Sequence, residues 1–411
     1  MSEPRLSRPS IAPLRDFLRT EAAGGVVLLA STVVALVWAN SPWRASHASL
    51  WSLVVGADVA SLHLRMDLAH WVSEGLMTVF FLVVGLEIKR EATSGHLASR
   101  RALAIPLVAA VGGMVVPAGL YLAVAGSAAP AGWGVPIATD IALAVGLVAV
   151  LGRSVPQAAR AFLLGLAVID DIGAILVIAF VYSDGVHLAW LALAAVTVVA
   201  AIVVRRAGVQ AVPAYVFLGL VLWLALKSAG MHATLAGVAM GLLAPVTPKR
   251  GTRLVDAEDP KRPSAEGSVS VVEWLLHRLH PFSSFAVLPL FALASAGVEV
   301  SSATIGRAVE SKVAWGVFLG LVVGKPLGVL SAAAVAGRVR PGGGAPSLGL
   351  RDLAATGHAA GIGFTVSLFV SGLAFDDPLL LRDARVAILA ASLVSALAAA
   401  FVARAARSRV G

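Results

Sequence analysis

The sequence predicts an all-α protein that crosses a membrane many times. Of its 411 residues, 58% are hydrophobic and only 13% are charged, and the mean hydropathy is +0.88. Stretches such as 102–130 and 384–402 are apolar around the whole circumference of a helix, whereas helices of a soluble protein keep a polar face. A helix needs about 20 apolar residues to cross a bilayer. This composition excludes a soluble globular protein.

The apolar segments follow one another along the chain, separated by short charged or Pro/Gly-rich connections. Their centres lie near residues 31, 81, 114, 141, 169, 196, 219, 238, 285, 325, 363 and 393. The region 210–246 can be divided in more than one way, because Pro213, Lys227 and Gly230 interrupt it. We therefore expect about twelve transmembrane helices in a single domain over residues 24–407.

Lys and Arg are concentrated in alternate connections, which predicts an orientation in the membrane. The basic stretches are the N-terminal segment 1–23, the connections 89–101, 153–160, 205–206, 249–278 and 338–351, and residues 404–409. Because positive charge favours cytoplasmic loops, both termini, 1–23 and 408–411, are expected in the cytoplasm. The net charge of +9 is then a topology signal, and no nucleic-acid partner is expected. The first apolar run, 24–38, lacks a convincing cleavage site and is expected to be retained.

Two polar insertions interrupt the apolar pattern. Residues 246–271 mix charges of both signs and are expected to form a solvated cytoplasmic linker. Residues 40–67 are expected outside the cytoplasm, and the alternation of apolar and polar residues over 59–66 predicts a short strand that could pair with a partner subunit. The chain has no cysteine, which excludes disulfides, thiolate chemistry and Cys metal sites.

Four charged residues lie inside apolar segments: Asp140, Asp170, Asp171 and Lys325. A charge at the centre of a membrane helix costs about 3 kcal/mol on insertion scales, so these groups must be paired or line water. A single structural salt bridge to Lys325 would leave two acids without a partner. The acids therefore predict a functional site near the membrane midplane.

The adjacent acids Asp170 and Asp171 are expected to have different roles, because neighbouring helical residues point about 100° apart. One would pair with Lys325. The other would join Asp140 in offering oxygen ligands to a small hard cation such as Na+ or Li+. Clustered carboxylates can also hold a proton at the same oxygens, with coupled titration. A site that binds either the cation or the proton exchanges one for the other.

Two glycine-rich stretches interrupt apolar segments in separate halves of the chain. Residues 132–140 include Gly134 and Pro136, and residues 357–365 include Gly361 and Gly363. Such a pair is typical of the crossed, discontinuous helices of inverted-repeat transporters, whose half-helix ends expose partial charges at mid-membrane. Asp140 would offset exposed helix N-termini, and Lys325 exposed C-termini. Close helix packing is the structural alternative for these glycines.

Six motifs are distributed over nearly the whole chain. They are FFLVVGLEIKRE at 80–91, ATDIA at 138–142, IDDIGA at 169–174, HATLAG at 232–237, GKPLG at 324–328 and GIGFT at 361–365. Together they resemble the bacterial sodium/proton antiporter A (NhaA) family. The resemblance implies twelve helices with inverted-topology repeats in the bacterial inner membrane. It also implies electrogenic exchange of Na+ or Li+ for protons, which serves sodium and pH homeostasis, and no cofactor besides the transported ions.

The same resemblance implies roles for individual residues. Asp171 would contact the cation, and an ion pair between Asp170 and Lys325 would break as ions bind. Thr139 and Asp140 would belong to the unwound crossing. A short extracytoplasmic β-hairpin near 57–67 would hold a homodimer. The cytoplasmic pH-sensing cluster would consist of Glu87, Arg90, Glu91, His277 and His280.

The chain departs from the family pattern at two positions. Leu276 stands where the family often has an acid directly before the first histidine of the pH-sensing cluster, and Glu273 lies about one turn earlier. His358 stands near a point of the broken helix where the family usually has an apolar residue. The first departure bears on pH sensing, and the second on proton affinity or on a polar cavity.

Two other classes of protein share parts of this pattern. An intramembrane aspartyl protease also places two acids at mid-membrane, but it gives no reason for Lys325, and Ala167-Val168-Ile169 precedes Asp170 where such proteases have Gly-x-Gly. A sodium-coupled organic-solute symporter would need a larger polar cavity than these Ala/Val/Leu-rich segments suggest. The sequence favours an antiporter, which is a transporter and not an enzyme.

Overall fold

The computed structural model describes residues 12–407 except 57, 60–61, 95–99, 184, 186, 210, 247, 254–267 and 340–347. Most of the predicted N-terminal segment, the centre of the linker 246–271 and the C-terminal residues 408–411 therefore lie outside the described residues. Within them the chain is predominantly helical, with a few short strands.

The helices are numbered in chain order. The first half contains α1 (Ala12–Ala39), α2 (Arg44–Trp51), α3 (Leu68–His70), α4 (Met77–Ser94), α5 (Arg100–Ala125), α6 (Ile141–Leu151), α7 (Gln157–Val181), α8 (Leu188–Arg206) and α9 (Val212–Ser228). The second half contains α10 (Leu235–Leu243), α11 (Val271–Phe282), α12 (Leu288–Ser295), α13 (Ser302–Glu310), α14 (Lys312–Leu319), α15 (Lys325–Val339), α16 (Leu350–Ala360), α17 (Phe364–Ala374) and α18 (Pro378–Arg407).

Among the described residues, eight helical stretches are long and apolar enough to cross a bilayer, and the pair α16 and α17, bent by 47°, would make a ninth. The eight are Ala22–Ala39, Leu68–Thr93, Ala104–Ala125, Pro130–Leu151, Gln157–Val181, Leu188–Arg206, Lys312–Gly337 and Pro378–Ala405. This confirms a polytopic helical membrane protein. The apolar segments predicted near 219, 238 and 285 fall on shorter helices, so a count of twelve stays a prediction.

Irregular turns join several helices end to end. Short 3₁₀ helices span Pro130–Ile137 and Gly152–Ser154, before and after α6. Three π-helical turns, Trp71–Leu76, Ser283–Val287 and Gly320–Gly324, precede α4, α12 and α15. The π-helical turns are rare in proteins, and those that occur are often found at functional sites. The third one ends immediately before Lys325, and the second one, which we call the serine π-turn, lies between α11 and α12.

The insertion 40–67 contains two short antiparallel strand pairs. Strand β1 (Val54–Val55) pairs with β4 (Met66–Asp67), and β2 (Asp58–Val59) pairs with β3 (Leu62–His63). A single strand over 59–66 is therefore wrong, because the chain reverses between β2 and β3 and leaves the ladder at residues 64–65. The alternation of apolar and polar residues does not show where a chain reverses, because one strand and two strands joined by a turn give a similar pattern. In the linker, β5 (Pro248–Arg253) pairs with β6 (Ser268–Ser270).

Glycines allow α5 and α15 to pack with their backbones in close contact. A Cβ on Gly328 would lie 2.1 Å from the carbonyl oxygen of Gly112, and a Cβ on Gly112 would lie 2.4 Å from Cβ of Ala332. Small residues permit this approach where helices associate in a membrane. A Cβ on Gly113 would lie 3.9 Å from Cε of Lys325, so the same contact places the first turn of α15.

We expect Gly112→Ala to lower the free energy of unfolding by about 1–3 kcal/mol, because the added methyl group has no space against α15. The matched control is Gly119→Ala in the same helix, where a Cβ would meet nothing within 4 Å. That change removes a helix-weakening glycine and should be neutral or stabilising by up to about 1 kcal/mol. Thermal unfolding in detergent measures both, and equal stability of the two variants would contradict the close packing of α5 on α15.

Candidate ion-binding site

The two glycine-rich interruptions meet inside the protein. The first, residues 132–140, contains most of the 3₁₀ helix Pro130–Ile137 and ends where α6 begins at Ile141. The second separates α16 from α17. The backbone N–H of Asp140 donates to the carbonyl of Ile362 at 2.7 Å, and Thr139 Oγ1 lies 2.8 Å from the carbonyl oxygen of Ala360. Residues about 220 positions apart in the chain therefore form one backbone contact.

The glycines of both interruptions also serve close packing. A Cβ on Gly134 would lie 2.4 Å from the hydroxyl oxygen of Tyr182, and one on Gly361 would lie 2.5 Å from the carbonyl oxygen of Leu321. Gly363 is similarly confined, with Ser367 Oγ at 2.2 Å from the Cβ position. Pro136 packs against Gly320, whose Cβ would approach it to 2.6 Å. Broken backbone and tight packing therefore occur together at these positions.

The carboxylate of Asp140 lies at the N-termini of two helices. Its Oδ1 accepts a hydrogen bond from the backbone N–H of Leu143 at 2.9 Å and caps α6. Its Oδ2 accepts from the backbone N–H and the hydroxyl of Thr365, in the first turn of α17, at 3.0 and 2.6 Å. Helix N-termini carry partial positive charge and favour an anion. Asp140 therefore stabilises two helix ends at once.

Lys325 and Asp170 form a fully buried ion pair, since both side chains are 0% exposed. Lys325 Nζ also donates to the carbonyl of Ile137, the last residue of the 3₁₀ helix. Thr139 Oγ1 lies 2.5 Å from Asp170 Oδ2, so its single proton is donated either there or to Ala360. A buried charge is tolerated only with such partners. The cation of the pair thus lies at a helix C-terminal end, and Asp140 at N-terminal ends.

Asp171 has different surroundings from Asp170. Its side chain lies in a cavity and is 6% exposed, and within the described residues its carboxylate accepts no hydrogen bond from the protein. The polar residues that line this cavity with it are Glu87, Thr139, Asp140, His280, Ser283, Ser284 and Thr365. Asp170 Oδ1 also has no hydrogen-bond partner, but it is buried and Asp170 does not line this cavity. Of the adjacent acids, Asp171 is thus the one whose carboxylate a small ion in the cavity could reach.

Part of the predicted pH-sensing cluster lies at the same cavity. His280 Nε2 is 3.6 Å from Glu87 Oε1, and both residues line the cavity with Asp171. Arg90 and Glu91 follow Glu87 in α4 and are partly buried. His277 is exposed on α11 and does not line this cavity. The structure thus brings His280, but not His277, to the cavity that contains Asp171.

Three polar side chains of this site are absent from the residues that the sequence singled out. Thr365 belongs to the GIGFT motif, but its hydroxyl contact with Asp140 depends on how two interruptions meet. Ser283 and Ser284 are adjacent serines in an apolar segment, a weak signal that could have drawn attention to them.

The structure has no group of three or more His, Cys, Asp or Glu side chains that could hold a metal ion, within the part of the chain that it describes. The cavity of Asp171 is lined by the hydroxyl-bearing residues Ser283, Ser284 and Thr365 and by the acids Glu87 and Asp140. Small hard cations accept such ligands.

Comparison with known proteins identifies the family. A family model described as Na+/H+ antiporter 1 matches residues 15–403. The chain is 43% identical to the Na(+)/H(+) antiporter NhaA 2 of Sorangium cellulosum over 428 residues, which cover 97% of this chain and 91% of the relative. It is 43% identical to the Na(+)/H(+) antiporter NhaA 2 of Myxococcus xanthus, covering 97% and 90%. It is 41% identical to the Na(+)/H(+) antiporter NhaA of Oleidesulfovibrio alaskensis, covering 94% and 92%.

These similarities extend over nearly the full length of each protein, and they do not favour a symporter or an intramembrane protease. Together with the apolar helices they indicate a multi-pass protein of the bacterial inner membrane. The chain belongs to the Na+/H+ antiporter 1 family and is a transporter, not an enzyme.

Proposed function

We propose that this antiporter exchanges Na+ or Li+ for protons at the carboxylate of Asp171. The observation that carries the proposal is the contrast between two adjacent acids. Asp170 is held by Lys325 and Thr139, whereas Asp171 lies in a cavity with no hydrogen-bond donor from the described protein. A carboxylate that is free of donors can bind a cation or a proton, and charge balance disfavours both together.

Asp140 and Thr139 assist from the crossing of the two interruptions. Asp140 lines the same cavity, but its oxygens accept hydrogen bonds from two helix N-termini. It would therefore attract the cation by its negative charge and would not serve as a direct ligand. Thr139 contacts Asp170 and also lines the cavity, and would transmit a change at one acid to the other.

The ion pair of Asp170 and Lys325 would supply the second exchangeable proton. If cation binding at Asp171 breaks the pair, Lys325 can release a proton together with the one from Asp171. More than one proton would then move per cation, and the exchange would be electrogenic. A buried ion pair adds little to stability, so its opening and closing during the transport cycle would be its functional role.

The architecture that fits this mechanism has about twelve transmembrane helices, inverted-topology repeats and two crossed discontinuous helices. The shorter apolar helices α9, α10 and α12 and the contact between the two interruptions support it. Alternation of Lys and Arg supports cytoplasmic termini, with the single transporter domain over 24–407. We further propose that the strand pairs at 54–67 lie outside the cytoplasm and hold a homodimer by strand addition.

We expect Asp171→Asn to abolish Na+- and Li+-dependent proton release, because an amide neither binds a cation as a carboxylate does nor carries the exchanged proton. The measurement is dequenching of a pH dye in everted vesicles that hold a proton gradient, with potassium as the inactive cation. The matched control is Asp376→Asn, an exposed acid. Sodium-dependent proton flux in Asp171→Asn at the parent rate would refute the proposed site.

We expect Lys325→Met to lower the free energy of unfolding by about 3–5 kcal/mol, because it leaves Asp170 charged and unpaired in the interior. The double variant Asp170→Asn with Lys325→Met removes both charges and should recover most of that loss. Lys312→Met, at an exposed lysine, is the control. Thermal unfolding in detergent is measured for the parent, Lys325→Met, Asp170→Asn, the double variant and the control. A double variant less stable than both single variants would show that the two residues act separately.

We expect His280→Gln to shift the pH dependence of exchange toward lower pH. His280 Nε2 and Glu87 Oε1 form an ion pair only when the imidazole is protonated. The ion pair is therefore present at low pH and is lost as the pH rises. If this pair restrains the transporter at low pH, removing it permits activity in more acidic medium. His277→Gln, at the exposed histidine of the same helix, should leave the profile unchanged. An equal shift in both variants would contradict the specific role of His280.

A further inference from the structure

The serine π-turn contributes two hydroxyl-bearing residues to the wall of the cavity that contains Asp171. Ser283 and Ser284 are 3% and 4% exposed and begin the turn, in which the backbone N–H of Leu288 donates to the carbonyl of Ser283, five residues earlier. Both line the cavity that contains Asp171. A π-turn inserts an additional residue into a helix and changes the direction of the side chains around it.

Among the described residues, the hydroxyls of Ser283 and Ser284 make no hydrogen bond, and both serines line the cavity. Three other helical hydroxyls of the chain, by contrast, donate to the carbonyl four residues earlier. The distances are 2.8 Å from Thr32 to Leu28, 2.7 Å from Ser331 to Leu327 and 2.7 Å from Thr356 to Asp352. Buried hydroxyls normally have a hydrogen-bond partner, so these two are available to whatever enters the cavity.

Helix α1 holds the serine π-turn in place. A Cβ on Gly24 would lie 2.8 Å from Cβ of Ser284 and 3.6 Å from its Oγ, so the glycine lets α1 pack directly against this serine. The turn is therefore backed on one side by another helix and borders the cavity on the other. Its two oxygens belong to a packed wall, not to a loose loop.

A cation in this cavity needs neutral oxygen ligands. Three carboxylates line the cavity. Asp140 accepts three hydrogen bonds, and Glu87 Oε1 lies 3.6 Å from His280 Nε2. This leaves Asp171 as the carboxylate without a hydrogen bond in the described residues. Hard cations take several oxygen ligands, and one carboxylate supplies at most two of them. Ser283 and Ser284 offer two more oxygens at the same cavity, directly or through a shared water.

We propose that the hydroxyls of Ser283 and Ser284 solvate the cation in the cavity beside Asp171 and thereby help the transporter to discriminate Na+ from Li+. The proposal rests on the proposed role of Asp171. Na+ is larger than Li+ and takes more oxygen ligands, so a site that loses two neutral oxygens leaves the coordination shell of Na+ incomplete sooner than that of Li+. Loss of the hydroxyls should therefore weaken Na+ transport more than Li+ transport.

The test compares Ser283→Ala, Ser284→Ala and the double alanine variant with the parent in everted vesicles. The apparent KM for Na+ and for Li+ and the maximal rate are measured at one pH. We expect the KM for Na+ to rise by about fivefold in the double variant, as for one lost hydrogen bond, and the KM for Li+ to rise less. Ser283→Thr keeps the oxygen and should retain the parent ratio of the two KM values. The control is Ser295→Ala, at a serine of α12 that is 8% exposed and outside the cavity lining.

Each outcome decides between the proposals. If Asp171→Asn is inactive and the double serine variant has the parent KM for both ions, the serine proposal alone is wrong. If Asp171→Asn transports like the parent, the proposed cation site itself is wrong. If the ratio of the KM values for Na+ and Li+ also shifts in Ser295→Ala, the shift is a general packing effect and the serine proposal is wrong. If the double variant loses transport, its affinities for Na+ and Li+ are measured by calorimetric titration of the purified protein. Affinities equal to those of the parent for both ions would overturn the serine proposal.

Discussion

The burial of charge in an apolar interior is the constraint on which the rest of the structure depends. Lys325 and Asp170 are without solvent exposure, and each needs partners that a continuous helix cannot provide. The interrupted helices provide them, since the carbonyl of Ile137 accepts from Lys325 and the N-terminal amides at α6 and α17 donate to Asp140. Charged side chains and broken backbone therefore stabilise one another, and neither would persist in the membrane alone.

Two consecutive residues of α7 thereby acquire different environments. Asp170 points to the lysine and Asp171 to the cavity, as a separation of about 100° on a helix requires. The proposed exchange at Asp171 would benefit from this division, because one acid would remain available to ions while the other belongs to the ion pair with Lys325. The Thr139 hydroxyl is within hydrogen-bonding distance of Asp170 and borders the cavity, which connects the two.

Irregular turns and small residues decide where the site lies. The π-turn 320–324 ends at Lys325, and the serine π-turn borders the cavity, while Gly112 and Gly328 bring α5 and α15 into contact near that lysine. In a membrane, helices associate through close packing of small residues because lipid provides no hydrophobic driving force between them. Local backbone irregularity and helix packing therefore position polar groups that apolar segments would otherwise exclude.

The sequence by itself determined the membrane class, the positions of four charged residues inside apolar segments and the two glycine-rich interruptions, because hydropathy, charge and glycine content are local properties. Only the tertiary structure decided that Asp170, and not Asp171, pairs with Lys325, that Thr365 contacts Asp140, and that His280 reaches Glu87 while His277 stays exposed. It also decided the chain reversal within 59–66. These are contacts between residues far apart in the chain or between neighbouring strands, and a local pattern of apolar and polar residues does not specify which distant groups meet.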